Sequence, residues 1–237
     1  DSLPTYVVMT DPRGGPIGPA VPGWTAPPRP QRAVLQGRYC RLEPLDSSRH
    51  AADLHAANSL DRDGRMWTYL FSGPFATLDE FTAWLESRED SLDPLYFAIV
   101  DTGTNRATGI ASYLRIEPAH GTIEVGHLAF SPLLQRTAAA TEAMYLMMKH
   151  AFELGYRRYE WKCDALNAAS RRAADRLGFK FEGTFRQAVV YKGRNRDTAW
   201  YSIIDTEWPE RETAFLAWLD PANFDSDGRQ RRSLQGT

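Results

Sequence analysis

Cysteine is scarce. The 237 residues hold two, Cys40 and Cys163, far apart and each inside an apolar strand-like run. Neither a disulfide framework, a paired redox motif nor a zinc site can be built from them, and the expectation is two buried, reduced thiols in a cytoplasmic protein. Long apolar runs are also missing, so no segment approaches the roughly 20 residues of a membrane span. The first residues lack a basic stretch followed by an apolar core, so no secretory signal is expected, and a start at Asp1 points to a processed or trimmed end. Charge of one sign is not in excess: 28 basic against 30 acidic residues give a net charge of −2, which offers no electrostatic argument for nucleic acid or an anionic membrane. His50, His55, His120, His127 and His150 are scattered and suggest no metal cluster. A P-loop lysine and a nucleophile elbow are absent as well.

What remains is an ordinary globular composition, 43% hydrophobic and 24% charged, long enough for one large domain or two small ones. Residues 1–36 stand apart. Seven of the prolines and four glycines between Pro12 and Pro30 resist helix and sheet and favour extended or polyproline II structure. The segment reads as an arm lying over its own domain or a sister subunit, with Trp24 as anchor. A structured domain is expected over 37–219, and 220–237 as a mobile tail.

Within the domain, Arg38–Pro44 alternates as a strand, and Asp46 or Ser47 can cap a helix running to about Asn58. Thr77-Leu78-Asp79-Glu80 is a capping box ahead of a helix with Phe81, Trp84 and Leu85 on one face. Leu95–Val100, Ala107–Ile116 and Thr122–Phe130 are apolar runs with short turns between them, as in an antiparallel meander. A helix from Ala138 to about Leu154, a strand Arg157–Cys163, and a helix capped by Asn167 and stopped at Gly178 follow. A hairpin of Phe179–Tyr191 and Asp197–Asp205 turns around residues 192–196, and a last helix starts at Pro209. Three consecutive strands between helices indicate an α+β domain, not a doubly wound sheet.

The junction at 131–143, S-P-L-L-Q-R-T-A-A-A-T-E-A, carries the chemistry. A strand feeding a small-residue turn and then a helix gathers free backbone N–H groups at one point, and the helix N-terminus adds about half a positive charge. Such a point receives phosphate.

The ordered set of segments resembles the GNAT superfamily of acyl-CoA-dependent N-acyltransferases, over about residues 37–219, and within it the ribosomal-protein N-terminal acetyltransferases (RimJ/RimL-like). Gln135-Arg136-Thr137-Ala138-Ala139-Ala140 fits the pyrophosphate loop and Thr141-Glu142-Ala143 the branch's continuation. Asn167-Ala168-Ala169-Ser170, Leu177-Gly178-Phe179 and Glu182-Gly183 fit the fourth-helix segment, and Arg194–Asp205 the final strand. Ala138 departs from the middle glycine of the loop. It is tolerable if its φ stays negative, while Arg136, in place of another loop glycine, can act as a charged donor.

The resemblance implies a mixed, mostly antiparallel sheet of six to seven strands flanked by helices, and transfer of an acetyl or other short acyl group from acyl-CoA to a primary amine, without metal. It assigns the diphosphate to the amides of Gln135–Ala140, with Thr141 beside them. The pantetheine runs along the backbone of Leu128, Ala129 and Phe130, and Asn167 bonds its arm. Two bases are open: Glu124, which is favoured and otherwise pairs with Arg115, and His127. Alternation puts them on opposite faces unless a bulge intervenes. The tyrosine that serves many members as acid is Ala174 here, leaving Ser170 to donate to the sulfur. By analogy of fold, Asp63, Trp67 and Tyr69 border the acceptor. A small molecule, a protein N-terminus and a lysine all stay open as acceptor. So do pairing of two copies, an acyl-CoA-binding sensor without turnover, and partner binding through the proline arm.

Overall fold

The computed structural model describes residues 8–234. In chain order the strands are β1 (Met9–Thr10), β2 (Pro16–Ile17), β3 (Leu35–Gln36), β4 (Cys40–Pro44), β5 (Leu95–Asp101), β6 (Ala107–Glu117), β7 (Thr122–Phe130), β8 (Arg158–Asp164), β9 (Lys180–Tyr191) and β10 (Arg194–Ile204). The helices are α1 (Ser47–Asn58), α2 (Leu78–Glu89), α3 (Ala138–Glu153), α4 (Ala168–Leu177) and α5 (Trp208–Leu219). β1 and β2 form a separate ribbon, and the other eight strands form one sheet in the order β3-β4-β5-β6-β7-β8-β10-β9. Seven of them fall within the expected span, and β3 is a two-residue edge contributed by the end of the arm. Every neighbouring pair is antiparallel except β7 and β8, which need the crossover helix α3 between them.

Local chemistry sets the helix ends. Asp46 caps α1 by accepting from the Arg49 amide at 3.1 Å. Thr77 accepts from the Glu80 amide, while the Glu80 carboxylate reaches back to the amide of Ala76. Gly178 ends α4 at φ 93°, a conformation only glycine adopts freely.

The sheet has a core on each face. On one side α3, α4 and α5 cover Phe97, Tyr113, Val125, Trp161 and Tyr201. On the other α1 and α2 bury Leu54, Phe81 and Leu85 against Tyr96, Ala98, Ile110 and Ala129. The two sides are here the α3 face and the α1 face.

Two expectations need correction. The closing turn is two residues, Lys192 (φ 47°) and Gly193 (φ 70°), whose left-handed pair matches strand twist; residues 194–196 therefore lie in β10. The ring of Trp24 lies against Gly121 while staying 36% exposed, and the arm is also held by the buried Pro27 and Pro30 and by Tyr156, which donates to the Pro28 carbonyl at 3.2 Å. The tail is packed through residue 234: Asn223 is buried and bonds Trp218 and Arg232, and Leu234 is buried. No helix among the described residues is long and apolar enough to cross a membrane.

Candidate active site

β7 and β8 start paired and then part. Thr122, Ile123, Glu124 and Val125 pair with Arg158, Tyr159, Glu160 and Trp161. Pairing stops there, although β7 runs on to Phe130 and β8 to Asp164. The cause lies on the other edge of β7. Ile110 pairs with Ala129 and Ser112 with Gly126, so His127 and Leu128 together stand opposite Ala111. This is a β-bulge, with His127 at φ 50°, and a bulge bends its strand. The Ser131 amide donates to Thr108 on β6; alternation then turns the amides of Leu128 and Phe130 toward the gap.

On the α3 face, the turn after β7 presents donors. Thr137 caps α3, accepting from the Ala140 amide at 3.2 Å, while the amides of Ala138 and Ala139 meet no acceptor among the described residues. Ala138 is the first residue of α3 and is absent from the positive-φ residues, so its Cβ is accommodated. Arg136 occupies the left-handed position of the turn, φ 62°. Ser170 sits nearby at the mouth of the gap: its Oγ accepts from the indole of Trp161, the last residue of β8 paired with β7, at 3.0 Å.

On the α1 face, the His127 ring stacks on Tyr96 and meets Phe71 edge-on. Its Nδ1 lies 3.1 Å from Ser112 Oγ and 3.4 Å from the Tyr96 hydroxyl, and Ser112 Oγ also reaches the Gly126 carbonyl at 3.1 Å. Nδ1 is thus the engaged nitrogen, and Nε2 has no hydrogen-bond partner among the described residues. Phe71 also touches Tyr191 and lies under the guanidinium of Arg196.

A turn with free amides on one face, an imidazole on the other and an unpaired strand edge between them lie together at one end of the sheet. The comparisons decide the family. The acetyltransferase (GNAT) domain model matches residues 40–180. This chain belongs to the GNAT acetyltransferase family. A GCN5-related N-acetyltransferase of Brucella melitensis is 50% identical, with a TM-score of 0.89 over 91% of this chain and 98% of its own. The ribosomal-protein-serine acetyltransferase of Escherichia coli is 32% identical over 101 residues, 42% of this chain and 56% of its own. RimL, the ribosomal L7/L12 alpha-N-protein acetyltransferase, was solved in complex with coenzyme A; it shares the fold at a TM-score of 0.61, with 21% identity over 73% of this chain and 99% of its own. Acetyl-CoA-dependent acyl transfer is general to the family, and the free amides at the start of α3 suit its diphosphate.

Within this GNAT frame the expected residues separate. The bulge brings Glu124 and His127 to one face: Ser112 pairs with Gly126, which shares the face of Glu124, and Ser112 also holds His127. Glu124 is 3% exposed. Both its oxygens accept from Arg115 at 2.8 Å, and Lys162 pairs with it at 2.8 Å. Lys162 in turn pairs with Glu160 and lies over Trp200. Asn167 is the N-cap of α4, accepting from the Ser170 amide. Gln135 donates to the Phe130 carbonyl, and the buried Thr141 hydroxyl accepts from Arg176. Tyr69 donates to the Leu166 carbonyl beyond β8. Asp63 pairs with Arg65 in solvent and Trp67 is buried against Phe75; the groove of about 350 Å³ they line does not have His127, Tyr96 or Arg196 in its walls. Among the described residues no cluster of His, Cys, Asp and Glu could hold a metal. Both cysteines are free and buried, and burial raises both thiols.

Phe71, Tyr96, Ser112 and Arg196 were not expected at the site. Phe71 closes the aromatic stretch that begins at Trp67, and that stretch was the available signal.

Burial, then the charges of Arg115, Arg88 and Arg196, push His127 from 6.5 down to about 4. The unfolded chain takes the proton near pH 6.5 and the folded chain only near pH 4. Stability therefore falls as pH drops through this window, by at most about 3 kcal/mol, and levels off below it. Chemical denaturation of the parent and of His127→Asn at pH 7.5 and 4.5 checks this: the difference between pH values should shrink in the variant.

Arg136 carries the second test of this site. A side chain at φ 62° costs roughly 1–2 kcal/mol, partly offset by the entropy glycine loses on folding. Arg136→Gly is expected to raise the melting temperature by about 2 °C and to weaken acetyl-CoA binding by about fivefold, one charged donor's worth. Thermal melts and calorimetric titration read the two opposite signs.

Proposed function

We propose that the chain moves an acetyl or other short acyl group from acyl-CoA to a primary amine of a small molecule or protein, by direct attack with both partners bound. The single observation that carries this reading is the gap beyond Val125 and Trp161, which joins the cofactor donors on the α3 face to His127 on the α1 face. The transferase unit spans 37–219, with 1–36 as an arm and 220–237 as a tail, and its buried free thiols suit the cytoplasm.

Bound acetyl-CoA supplies an activated acyl thioester. The amides of Arg136, Ala138 and Ala139 hold its diphosphate, and the backbone of Leu128–Phe130 guides its arm through the gap. One of the gap-facing amides, Leu128 or Phe130, donates to the thioester oxygen as negative charge develops there. The Nε2 of His127 faces the amine. A neutral imidazole with a lowered pKa is a weak base, but the amine proton becomes strongly acidic once nitrogen bonds to carbon, so a weak base suffices. The positive field of Arg88 and Arg196 that depresses His127 also disfavours an ammonium, delivering the amine neutral. Ser170, its oxygen held by Trp161, keeps a proton to donate to the departing sulfur.

Thiol release from acetyl-CoA across a panel of amines and peptides tests the reading. Amine-dependent release supports it. Binding of CoA without release from any amine makes the chain a sensor module and defeats it.

A further inference from the structure

Arg196 is 9% exposed. Its Nε donates to Thr198 Oγ1 at 3.2 Å, and its guanidinium lies over the Phe71 ring at 5.6 Å. It forms no ion pair among the described residues, whereas Arg115 and Lys162 at the floor of the cleft are both paired with Glu124; Arg88, whose charge also reaches His127, has no ion pair either and lies over the Trp84 ring. Its two terminal nitrogens have no hydrogen-bond partner among the described residues and are not fully buried. Asp164, across the strand pair at Thr198, does not satisfy it: its oxygens accept from the Leu166 amide and the Tyr191 hydroxyl.

A buried guanidinium without a carboxylate is costly to keep, and contact with one aromatic ring returns only about 1 kcal/mol. What it retains is a planar fork, Nη1 and Nη2, fixed at the other end by Thr198. That fork matches one carboxylate end-on. It stands on the α1 face, where its charge reaches His127, so its ligand shares the cleft with the reacting amine rather than with the coenzyme.

We propose that the acceptor carries a carboxylate near its amine and that Arg196 binds it. The inference rests on the transferase reading above. It names the acceptor class as acidic amino compounds, either free amino acids or peptides with an acidic residue behind the amine. Arg196 then anchors the carboxylate while its positive field keeps the amine unprotonated.

Matched acceptors test this: β-alanine against its amide, and Ser-Asp against Ser-Asn dipeptides, with the parent, Arg196→Gln and Arg196→Lys. The parent is expected to prefer the acidic member of each pair by about 10- to 100-fold in kcat/KM. Arg196→Gln reduces the preference to about twofold, and Arg196→Lys, which keeps charge without the fork, falls between. Acetyl-CoA affinity, read by calorimetry, marks whether each variant is folded. The pair showing the preference separates free amino acids from peptides. Equal use of acid and amide by the parent, or an undiminished preference in Arg196→Gln, overturns the proposal. If no amine releases thiol, the transferase reading fails, and calorimetry with succinate against succinamide decides the Arg196 site alone. Succinate binding lost in Arg196→Gln upholds it; no succinate binding by the parent ends it.

Discussion

Replacing His127 by Asn is expected to lower kcat/KM about 100-fold while leaving acetyl-CoA binding within about twofold. General-base assistance is worth roughly 10²- to 10⁴-fold, and the lower end applies to so weak a base. Asn is the apt replacement because it tolerates the left-handed backbone at φ 50° and can still bond Ser112. Glu124→Gln is the counterpart. Its carboxylate already holds Arg115 and Lys162, so it has little capacity left for an amine proton. Removing its charge leaves Lys162, whose side chain is 6% exposed, paired with Glu160 alone, and is expected to cost about 2 kcal/mol of stability with kcat/KM changed less than about threefold. Steady-state rates with urea unfolding separate the two variants. A 100-fold rate loss in Glu124→Gln with His127→Asn near parental would reverse the assignment.

Glu142→Ala is expected to be the most destabilising single change, by about 4 kcal/mol. Glu142 is a buried carboxylate on α3, 5% exposed. It accepts from three consecutive amides where β4 begins: Arg38 at 2.9 Å, Tyr39 at 2.6 Å and Cys40 at 2.8 Å. Hydrogen bonds to a charged group contribute about 1.5–3 kcal/mol each, and buried donors left without a partner cost more. Gly37 is part of the same device: a Cβ there would come within 2.5 Å of the Glu142 carboxylate. Since α3 also carries the amides proposed to hold the diphosphate, loosening it should weaken acetyl-CoA binding in parallel. Urea denaturation measures the loss, and a cost below about 1 kcal/mol would show that the three amides find other acceptors.

The helix ends were legible because their determinants are local: Asp46, Thr77, Asn167 and Gly178 each act within three or four residues. The order of the strands was legible through turn spacing, and the tight turn into α3 through small residues at a strand–helix junction. The acceptor side was not. The bulge at His127 depends on the register of β7 against β6, a non-local property, and simple alternation separates His127 from Glu124 when the fold puts them on one face. Glu142 finds its partners about a hundred residues upstream, which no window of sequence contains. By sequence Arg196 reads as part of a turn, because Gly193 and four polar residues fill 192–196; the two-residue turn at Lys192-Gly193 instead carries it into β10 and toward the cleft. Trp67 and Asp63 drew attention by composition, yet one packs into the core and the other pairs in solvent.

The central claim is that coenzyme and acceptor meet through the gap left where β7 and β8 separate. A crystal structure with CoA tests it most directly. The account predicts the diphosphate on the amides of Ala138 and Ala139, and the sulfur in the gap beside Ser170 with the Nε2 of His127 open on the far side. CoA bound away from the 135–140 turn, or its sulfur on the wrong side of the sheet, would contradict it.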